Sequence, residues 1–284
     1  MKIKKHLTTA AKIVVTVGLL VLVFRKIEFR QIAETLQEST PGYLLVALCC
    51  FVGSQWVSAT RLLHFFHVHD YRLRASSNNI LYLIGMFYNF FIPGGVGGDA
   101  YKVYVLHKSF NWNAKDLGFA ILNDRISGLF AIGILAQGLA FFLLPAPYHY
   151  GIFISIPLSL LACFYFQKLV FKKYLPIFGK TLLLSVLVQG LQVLCVYFIL
   201  KSFAYTDNFL IYGIVFLISS VLSILSFSGI GLREWFFMQA AEMYHFQSDK
   251  AVTVALIFSA LTVVVSFVGI FFTFHTKKWL KTSV

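Results

Sequence analysis

The chain has 284 residues, of which 59% are hydrophobic, 17% aromatic and only 12% charged, with a mean hydropathy of +0.80. A soluble domain carries about 25% charged residues, so this composition excludes an ordinary soluble domain and indicates a protein surrounded mostly by lipid. The net charge of +13 does not indicate a nucleic-acid partner, because the Lys and Arg residues lie between apolar runs and do not form a basic face on a soluble fold.

Eight apolar segments follow one another along the chain, at 7–24, 43–60, 76–92, 117–144, 148–166, 181–200, 209–227 and 251–274. Most are close to the roughly 20 residues that an α-helix needs to cross a bilayer. Two shorter mixed segments, 99–107 and 234–246, follow the third and the seventh of them. We therefore predict an all-α, polytopic helical membrane protein with a single integral membrane domain over residues 1–284. No small-x-small cleavage site follows Phe24, so we expect the first segment to remain as an uncleaved span.

The basic residues predict the orientation in the membrane. Seventeen of the 24 Lys and Arg residues lie at the N-terminus up to Lys12, between the second and third segments, within 102–115, after the fifth segment, or at the C-terminus. The positive-inside rule places all five groups in the cytoplasm, with both termini inside and the protein in the cell membrane. Segment 76–108 must then begin and end on the cytoplasmic side, and segment 209–250 must begin and end outside. We predict two re-entrant elements that enter from opposite faces; for the first, the alternative is a span returned by a broken helix.

Each predicted re-entrant element contains a glycine-rich break. The first reads PGGVGGDAYKVY at 93–104, and the second reads SFSGIGLREWFF at 226–237. Their glycines align, Gly95-Val96-Gly97 with Gly229-Ile230-Gly231. This alignment places Asp99 opposite Arg233 and suggests an inverted repeat, an architecture that brings broken helices face to face near the bilayer midplane.

The first break predicts a polar cavity, because irregular backbone at membrane depth must be buried in protein or line a wet space. Glycines let a ligand approach the backbone, and helix N-termini attract anions. The structural interpretation is a tight turn with Asp99 capping the next helix. The functional one adds substrate binding by Pro93, Gly94, Gly95, Gly97, Gly98, Asp99 and Lys102. The pattern Gly95-x-Gly97-x-x-Ala100 also fits a dinucleotide fingerprint, but a long aromatic run precedes it where that motif needs a strand.

A second charged feature, LNDRISGLF at 122–130, lies inside an apolar run. Charges within a span usually face a bundle interior or a water-filled cavity. Arg125 would then bind an anionic headgroup, with Asp124 as its counter-ion or as a proton carrier. The structural alternative is a helix that begins only near Ile126 and leaves the pair at the interface. Adjacent helix positions diverge by about 100°, so the two side chains need not pair with each other.

Three further charged residues have two interpretations each. Arg233 and Glu234, which follow Gly229 and Gly231, either hold the second loop to the first, for instance by an Arg233–Asp99 pair, or line the exit of a headgroup path. Arg61 ends the second apolar segment. We expect it to be an ordinary cytoplasmic anchor, and the alternative is a place beside Lys102 in an inward-facing anionic lipid site.

The sequence indicates no metal, cofactor or covalent chemistry. His64, His67 and His69 with Asp70 form a juxtamembrane cluster that we interpret as interfacial, because a metal site needs three or four converging ligands. The four cysteines lie inside apolar runs without CxxC spacing. No HExxH, GxSxG or GxxxxGK[ST] motif is present. We therefore expect a transporter more than an enzyme.

Three motifs, FYNFFIPGGVGGDAYKVYVLHK, LNDRISGLFAIGIL and SFSGIGLREWFF, resemble in order and spacing the membrane domain of the lysylphosphatidylglycerol synthase/flippase family. The resemblance covers nearly the whole chain and implies a flippase-like protein with facing re-entrant helices. It implies as motif positions Pro93, Gly94, Gly95, Gly97, Gly98, Asp99, Asp124, Arg125, Gly231 and Arg233. Full-length synthases of the family carry a large soluble catalytic domain after the membrane part. These 284 residues do not include one, so we expect no binding of aminoacyl-tRNA.

Two functions follow from these predictions. The first is flippase-like translocation of an anionic lipid, which could be a phospholipid, an aminoacyl-phospholipid or a polyprenyl-phosphate-linked glycolipid. The alternative is an intramembrane transferase, or the membrane subunit of an aminoacyl- or glycosyltransferase. The partners that we expect are the anionic lipid substrate and membrane lipids, with a homodimer or a separate lipid-modifying enzyme left open.

Overall fold

A computed structural model describes residues 39–89, 96–222, 232–245, 247–274 and 276–283. These residues form helices and connections and contain no β-strand. The α-helices are α1 Pro41–His67, α2 Ala75–Asn89, α3 Gly97–Phe110, α4 Ala114–Phe141, α5 Gly151–Val170, α6 Phe178–Ser202, α7 Phe209–Leu222, α8 Leu232–Tyr244, α9 Ser248–Thr273 and α10 Thr276–Trp279. Short 3-10 turns at Tyr148–Tyr150 and Lys172–Ile177 precede α5 and α6. The predicted first span, 7–24, lies outside the described residues.

The prediction of an all-α polytopic membrane protein is confirmed. Within the described ranges, five helical segments are long and apolar enough to cross a membrane: Pro41–His67, Ala114–Phe141, Tyr148–Val170, Lys172–Ser202 and Lys250–Thr273. They correspond to the second, fourth, fifth, sixth and eighth predicted apolar segments. On α5 only Gln167 is buried, while Phe153, Ile154 and Leu158 are largely exposed. Such a surface needs surrounding hydrocarbon.

Local sequence signals fix several helix ends. α1 begins at Pro41, whose ring suits the first helical position because the backbone N–H there has no partner in the helix. α4 begins after Asn113, whose side chain accepts hydrogen bonds from the backbone N–H groups of Lys115 and Asp116. α3 ends at Asn111, which adopts the left-handed conformation with φ 56°.

The helices α1 and α6 form an antiparallel pair at the centre of the bundle. Thr40 bonds to the carbonyl of Ser202, Ser54 bonds to Gln192, and Arg61 bonds to Ser185. As the residue number increases along α1, the number of its partner on α6 therefore decreases. The main apolar core surrounds this pair and includes the rings of Phe51, Tyr212, Phe216, Phe237 and Phe258. Residues 40–61 of α1 therefore lie beside α6, inside the protein on one face and towards lipid on the other.

Each predicted broken element contains an antiparallel pair of short helices. In the first, Asn89 of α2 contacts Gly98 of α3, and Tyr82, farther back along α2, contacts Lys102. In the second, Tyr212 packs on Phe237, and Phe216 packs on Arg233. α2 has 15 residues and α7 has 14, so each is about 22 Å long or less and shorter than the roughly 30 Å hydrocarbon core. These lengths suit re-entrant elements. The re-entrant path and the inverted repeat remain predictions, because residues 90–95 and 223–231 lie outside the described residues.

The helix α9 lies between the two short pairs. It packs against α8 near Phe258 and Ser259, and against α2 where Gly269 meets the backbone of Leu83. A Cβ at Gly269 would lie 2.3 Å from the Leu83 carbonyl oxygen, so only glycine allows this approach. These two contact points are ten residues apart on α9, which corresponds to about 15 Å along the helix axis.

Four of the five basic segments meet at one end of the molecule. The loop 69–74 contacts residues 113–116 through Tyr71 and Asp116, the turn 172–174 through His69 and Tyr174, and the chain end through the Leu73–Thr282 bridge. The remaining basic segment precedes the first predicted span and lies outside the described residues. The positive-inside rule requires this gathering of charge on one side. That this end faces the cytoplasm remains a prediction.

Candidate functional site

The first glycine-rich break leads into a charged cluster of Asp99, Lys102 and Arg125. Asp99 lies in the first turn of α3, and one of its carboxylate oxygens, Oδ2, accepts a hydrogen bond from Arg125 Nε of α4. Its other oxygen, Oδ1, accepts from Lys102 Nζ at 3.2 Å. One carboxylate therefore lies between two cations, and the cluster has an excess of one positive charge. The side chain of Arg125 is 29% exposed, which makes it the most exposed of the three.

The cation Lys102 is buried against α2. Its ammonium nitrogen lies 4.5 Å from the centre of the Tyr82 ring, which is the geometry of a cation–π contact. A Cβ added to Gly85 would lie only 2.5 Å from Lys102 Cε, so the lysine side chain occupies the space of a side chain at position 85. Gly85 thus gives Lys102 the space to pass between the two helices.

The glycines of α2 and α3 also bring the two backbones together. A Cβ at Gly98 would lie 1.9 Å from the carbonyl oxygen of Gly85, so no side chain fits at this crossing. The N–H of Gly98 donates to Asn89 Oδ1 at 2.8 Å. The sequence prediction that Asp99 caps α3 is therefore corrected: Asn89 of α2 supplies this bond, and Asp99 is left to bind Arg125 and Lys102.

A second buried ion pair joins Arg61 of α1 to Asp124 of α4. Arg61 donates from Nε to Oδ1 at 2.6 Å and from the guanidinium NH2 to Oδ2 at 3.0 Å. Its NH1 donates to Ser185 Oγ of α6 at 2.8 Å, and Ser185 in turn donates to the Thr181 carbonyl. Both charged side chains are buried. This network connects α1, α4 and α6, and each of the three side-chain nitrogens of Arg61 donates to an acceptor in it.

The Arg61–Asp124 pair corrects the roles predicted for Arg61 and Asp124, and the start of α4 excludes the alternative of a helix that begins only near Ile126. Arg61 is not an exposed cytoplasmic anchor. Asp124 is the counter-ion of Arg61 and not of Arg125, since the two adjacent positions on α4 point to different neighbours. α4 begins at Ala114, so Asp124 and Arg125 lie about 15 Å into the helix and not before its first turn.

Arg233 of α8 is buried against the middle of α9. Its guanidinium carbon lies 4.7 Å from the centre of the Phe258 ring and 5.6 Å from that of Phe216. One terminal nitrogen lies 3.5 Å from Ser259 Oγ, and Ser259 donates to Glu234 Oε1 at 3.0 Å. The suggested Arg233–Asp99 pair does not form, because Asp99 binds Arg125 and Lys102.

His69 of the juxtamembrane cluster lies in a polar contact outside the spans. Its Nδ1 accepts from Lys173 Nζ at 2.9 Å, and its Nε2 is 2.8 Å from the Tyr174 hydroxyl. Burial and then the charge of Lys173 lower the pKa of His69, and Asp116 opposes this shift only in part. A neutral imidazole fits these contacts. Within the described ranges, no group of three or more His, Cys, Asp and Glu side chains could hold a metal ion.

The structure thus joins some predicted site residues and separates others. Gly97, Gly98, Asp99, Lys102 and Arg125 lie together at the α2–α3–α4 contact. Asp124 and Arg61 form the neighbouring pair, whereas Arg233 and Glu234 of α8 lie apart from both, against Phe258 and Ser259 of α9. Pro93, Gly94, Gly95, Gly229 and Gly231 fall outside the described residues.

Sequence reasoning missed three contributors, namely Asn89, Tyr82 and Ser185. Asn89 was visible as the single amide in the run FYNFF before the break, and a polar residue there signals a turn or a cap. Ser185 lies in an apolar helix and gives no signal, because serine occurs in membrane helices for several reasons. Tyr82 could be recognised only from its position under Lys102.

Comparison with known proteins identifies the family. The family model described as "Lysylphosphatidylglycerol synthase TM region" matches residues 9–175 and 167–269. These residues include both glycine-rich breaks and the Asp124–Arg125 segment. No curated protein matches the sequence. The chain belongs to the lysylphosphatidylglycerol synthase transmembrane-region family, as the motifs predicted.

Proposed function

We propose that the protein is a flippase-like transporter that moves an anionic lipid between the two membrane leaflets. The lipid is a phospholipid, an aminoacyl-phospholipid or a polyprenyl-phosphate-linked glycolipid. The observation that supports the proposal most directly is the Asp99–Lys102–Arg125 cluster. Its excess positive charge lies inside a polytopic membrane protein, where charges are costly and usually serve a function, and the side chain of Arg125 is 29% exposed. Membership of a family named for a lipid synthase agrees with a lipid substrate.

The electrostatics of the cluster suit one phosphate. Lys102 and Arg125 both donate to the same carboxylate, and the planar guanidinium of Arg125 has a geometry that suits a phosphate. When a headgroup binds, Lys102 and Arg125 replace part of their contact with Asp99 by a contact with the phosphate. When the headgroup leaves, the contact with Asp99 forms again. Since Asp99 remains beside both cations, the headgroup is held weakly enough to leave, as transport requires.

A translocation assay tests the proposal. The purified protein is reconstituted into phosphatidylcholine vesicles that contain a trace of fluorescent phosphatidylglycerol, and dithionite then bleaches the label in the outer leaflet. We expect Arg125→Gln to reduce the rate of translocation by about ten-fold or more, because a hydrogen bond to a charged group contributes about 1.5–3 kcal/mol. Lys108→Gln is the matched control: it removes the same charge from an exposed position on α3. Equal rates for Arg125→Gln and the native protein would refute the assignment of the site.

The alternative function is that of a membrane subunit of a lipid-modifying transferase, and the name of the matched family favours it. In this case Asp99 or Asp124 would act in chemistry. Incubation of the purified protein with an activated aminoacyl or sugar donor and phosphatidylglycerol would yield a new lipid, which mass spectrometry detects. Translocation without a new lipid would support the transporter.

The orientation is part of the same proposal. We place the end that carries residues 69–74, 113–116 and 172–174 in the cytoplasm of a cell-membrane protein, on the basis of its Lys and Arg content. A single cysteine at Ser283, on a background without the four native cysteines, should react with a membrane-impermeant maleimide only after the cells are opened.

A further inference from the structure

A cavity of about 150 Å³ lies between α1, α2 and α9, next to the charged cluster. Its wall is mostly apolar and is formed by Val52, Trp56, Ala59, Leu83 and Val265. Gln55, Asn79 and Tyr82 supply the polar part of the lining. We call this cavity the α1–α2 groove.

The groove adjoins the lipid-facing side of the protein. Val52 and Trp56 lie on α1, a helix long enough to span the membrane, and they are 44% and 66% exposed. Because most of its wall is apolar, contact with hydrocarbon is favoured over contact with water there. In a bilayer the hydrocarbon at such a surface is a lipid chain.

Tyr82 connects the groove to the charged cluster. It lines the groove, and its ring also carries the ammonium group of Lys102 at 4.5 Å. Lys102 bonds to Asp99, which bonds to Arg125. The apolar groove thus lies on one side of Tyr82 and the cationic site on the other. An anionic lipid has the same arrangement, with its hydrocarbon chain next to its charged headgroup.

We infer that the α1–α2 groove is a binding subsite for one hydrocarbon chain of the lipid whose headgroup binds at Lys102 and Arg125. This inference rests on the proposed function and extends it to the tail. The hydrocarbon chain lies against Trp56 and Leu83 during transport. The protein therefore recognises the bulk of the part of the tail that lies near the headgroup. The groove, and not the headgroup site, sets this preference.

Photolabelling tests the groove independently of transport. The native protein is reconstituted into phosphatidylcholine vesicles with phosphatidylglycerol that carries a diazirine near the headgroup end of one acyl chain, and labelled residues are located by mass spectrometry. We expect labels concentrated on Val52, Trp56 and Leu83. Val52→Trp fills the groove from its exposed rim and should reduce this labelling at least five-fold. Leu45→Trp is the matched control, because Leu45 is a lipid-exposed residue of the same helix outside the groove.

The outcomes separate the groove from the transport function. Labels spread evenly over lipid-exposed helices, or labelling that Val52→Trp leaves unchanged, would overturn the groove even if Arg125→Gln stops translocation. The groove could instead be covered by another segment of this protein or by a second copy. Benzoylphenylalanine in place of Trp56 would then cross-link to that peptide, and this result would also overturn the inference. Labelling of the groove in a protein that does not translocate lipid would instead refute the transporter and leave a structural lipid site.

Discussion

The Arg61–Asp124 pair gives a stability prediction that can be worked from the structure. The two side chains are only 6% and 10% exposed, and they share two hydrogen bonds of 2.6 and 3.0 Å. Two unit charges about 4 Å apart attract each other by about 4 kcal/mol at an effective dielectric constant of about 20. Removal of one partner leaves the other charge buried and unpaired, and such changes destabilise proteins by about 3–5 kcal/mol.

A double-mutant cycle measures this coupling. Arg61→Met keeps the apolar stem of the side chain, and Asp124→Asn keeps the shape. Each single variant should lower the free energy of unfolding by about 3–5 kcal/mol. The double variant should lose much less than the sum, because neither change then leaves an unpaired charge. Unfolding is followed in mixed micelles of dodecyl sulfate and a mild detergent, with helix content as the signal.

A neutral pair provides the comparison for this cycle. Gln137 of α4 bonds to Ser159 of α5 at 3.0 Å, and hydrogen bonds of this kind between membrane helices average about 0.6 kcal/mol in such cycles. The Arg61–Asp124 coupling should exceed the Gln137–Ser159 coupling several-fold. Additivity of Arg61→Met and Asp124→Asn within about 0.5 kcal/mol would refute the argument from burial and charge.

Two further predictions concern packing and pH. Gly98→Ala should destabilise the fold by about 1–3 kcal/mol in thermal unfolding, because its Cβ would meet the Gly85 backbone, whereas Gly118→Ala, whose Cβ would meet nothing within 4 Å, should be neutral or stabilising; equal effects would contradict the close crossing. The lowered pKa of His69 means that the unfolded chain binds this proton more tightly, so stability should fall as the pH decreases below about 6.5. His69→Gln should weaken that dependence between pH 7.5 and 5, and an unchanged slope would show that His69 does not contribute.

The sequence predicted the helical class because lipid leaves backbone groups no other partners, so apolar runs of spanning length form helices. Five of the eight predicted segments correspond to long apolar helices in the described residues. The predicted end of the second segment, just before Arg61, was less accurate than the helical class. We ended the second segment at residue 60 because a charge normally ends a span, but α1 continues to His67. Asp124 neutralises Arg61, so the helix can continue past this charge. No residue near Arg61 in the sequence indicates that this carboxylate will be its partner.

The charged residues of the site could also be predicted, since a charge in an apolar run indicates function or pairing. Their partners could not. Helical spacing shows that Asp124 and Arg125 diverge, but the choice of Arg61 for one and Asp99 for the other depends on how α1, α3 and α4 pack. These contacts join residues 63 and 26 positions apart. Sequence alone determined which elements form and which residues carry charge, because hydrophobicity and hydrogen bonding act locally. Only the tertiary structure decided which charges meet, because that choice depends on how the helices pack, including glycine-permitted crossings such as Gly85 with Gly98 and Gly269 with Leu83.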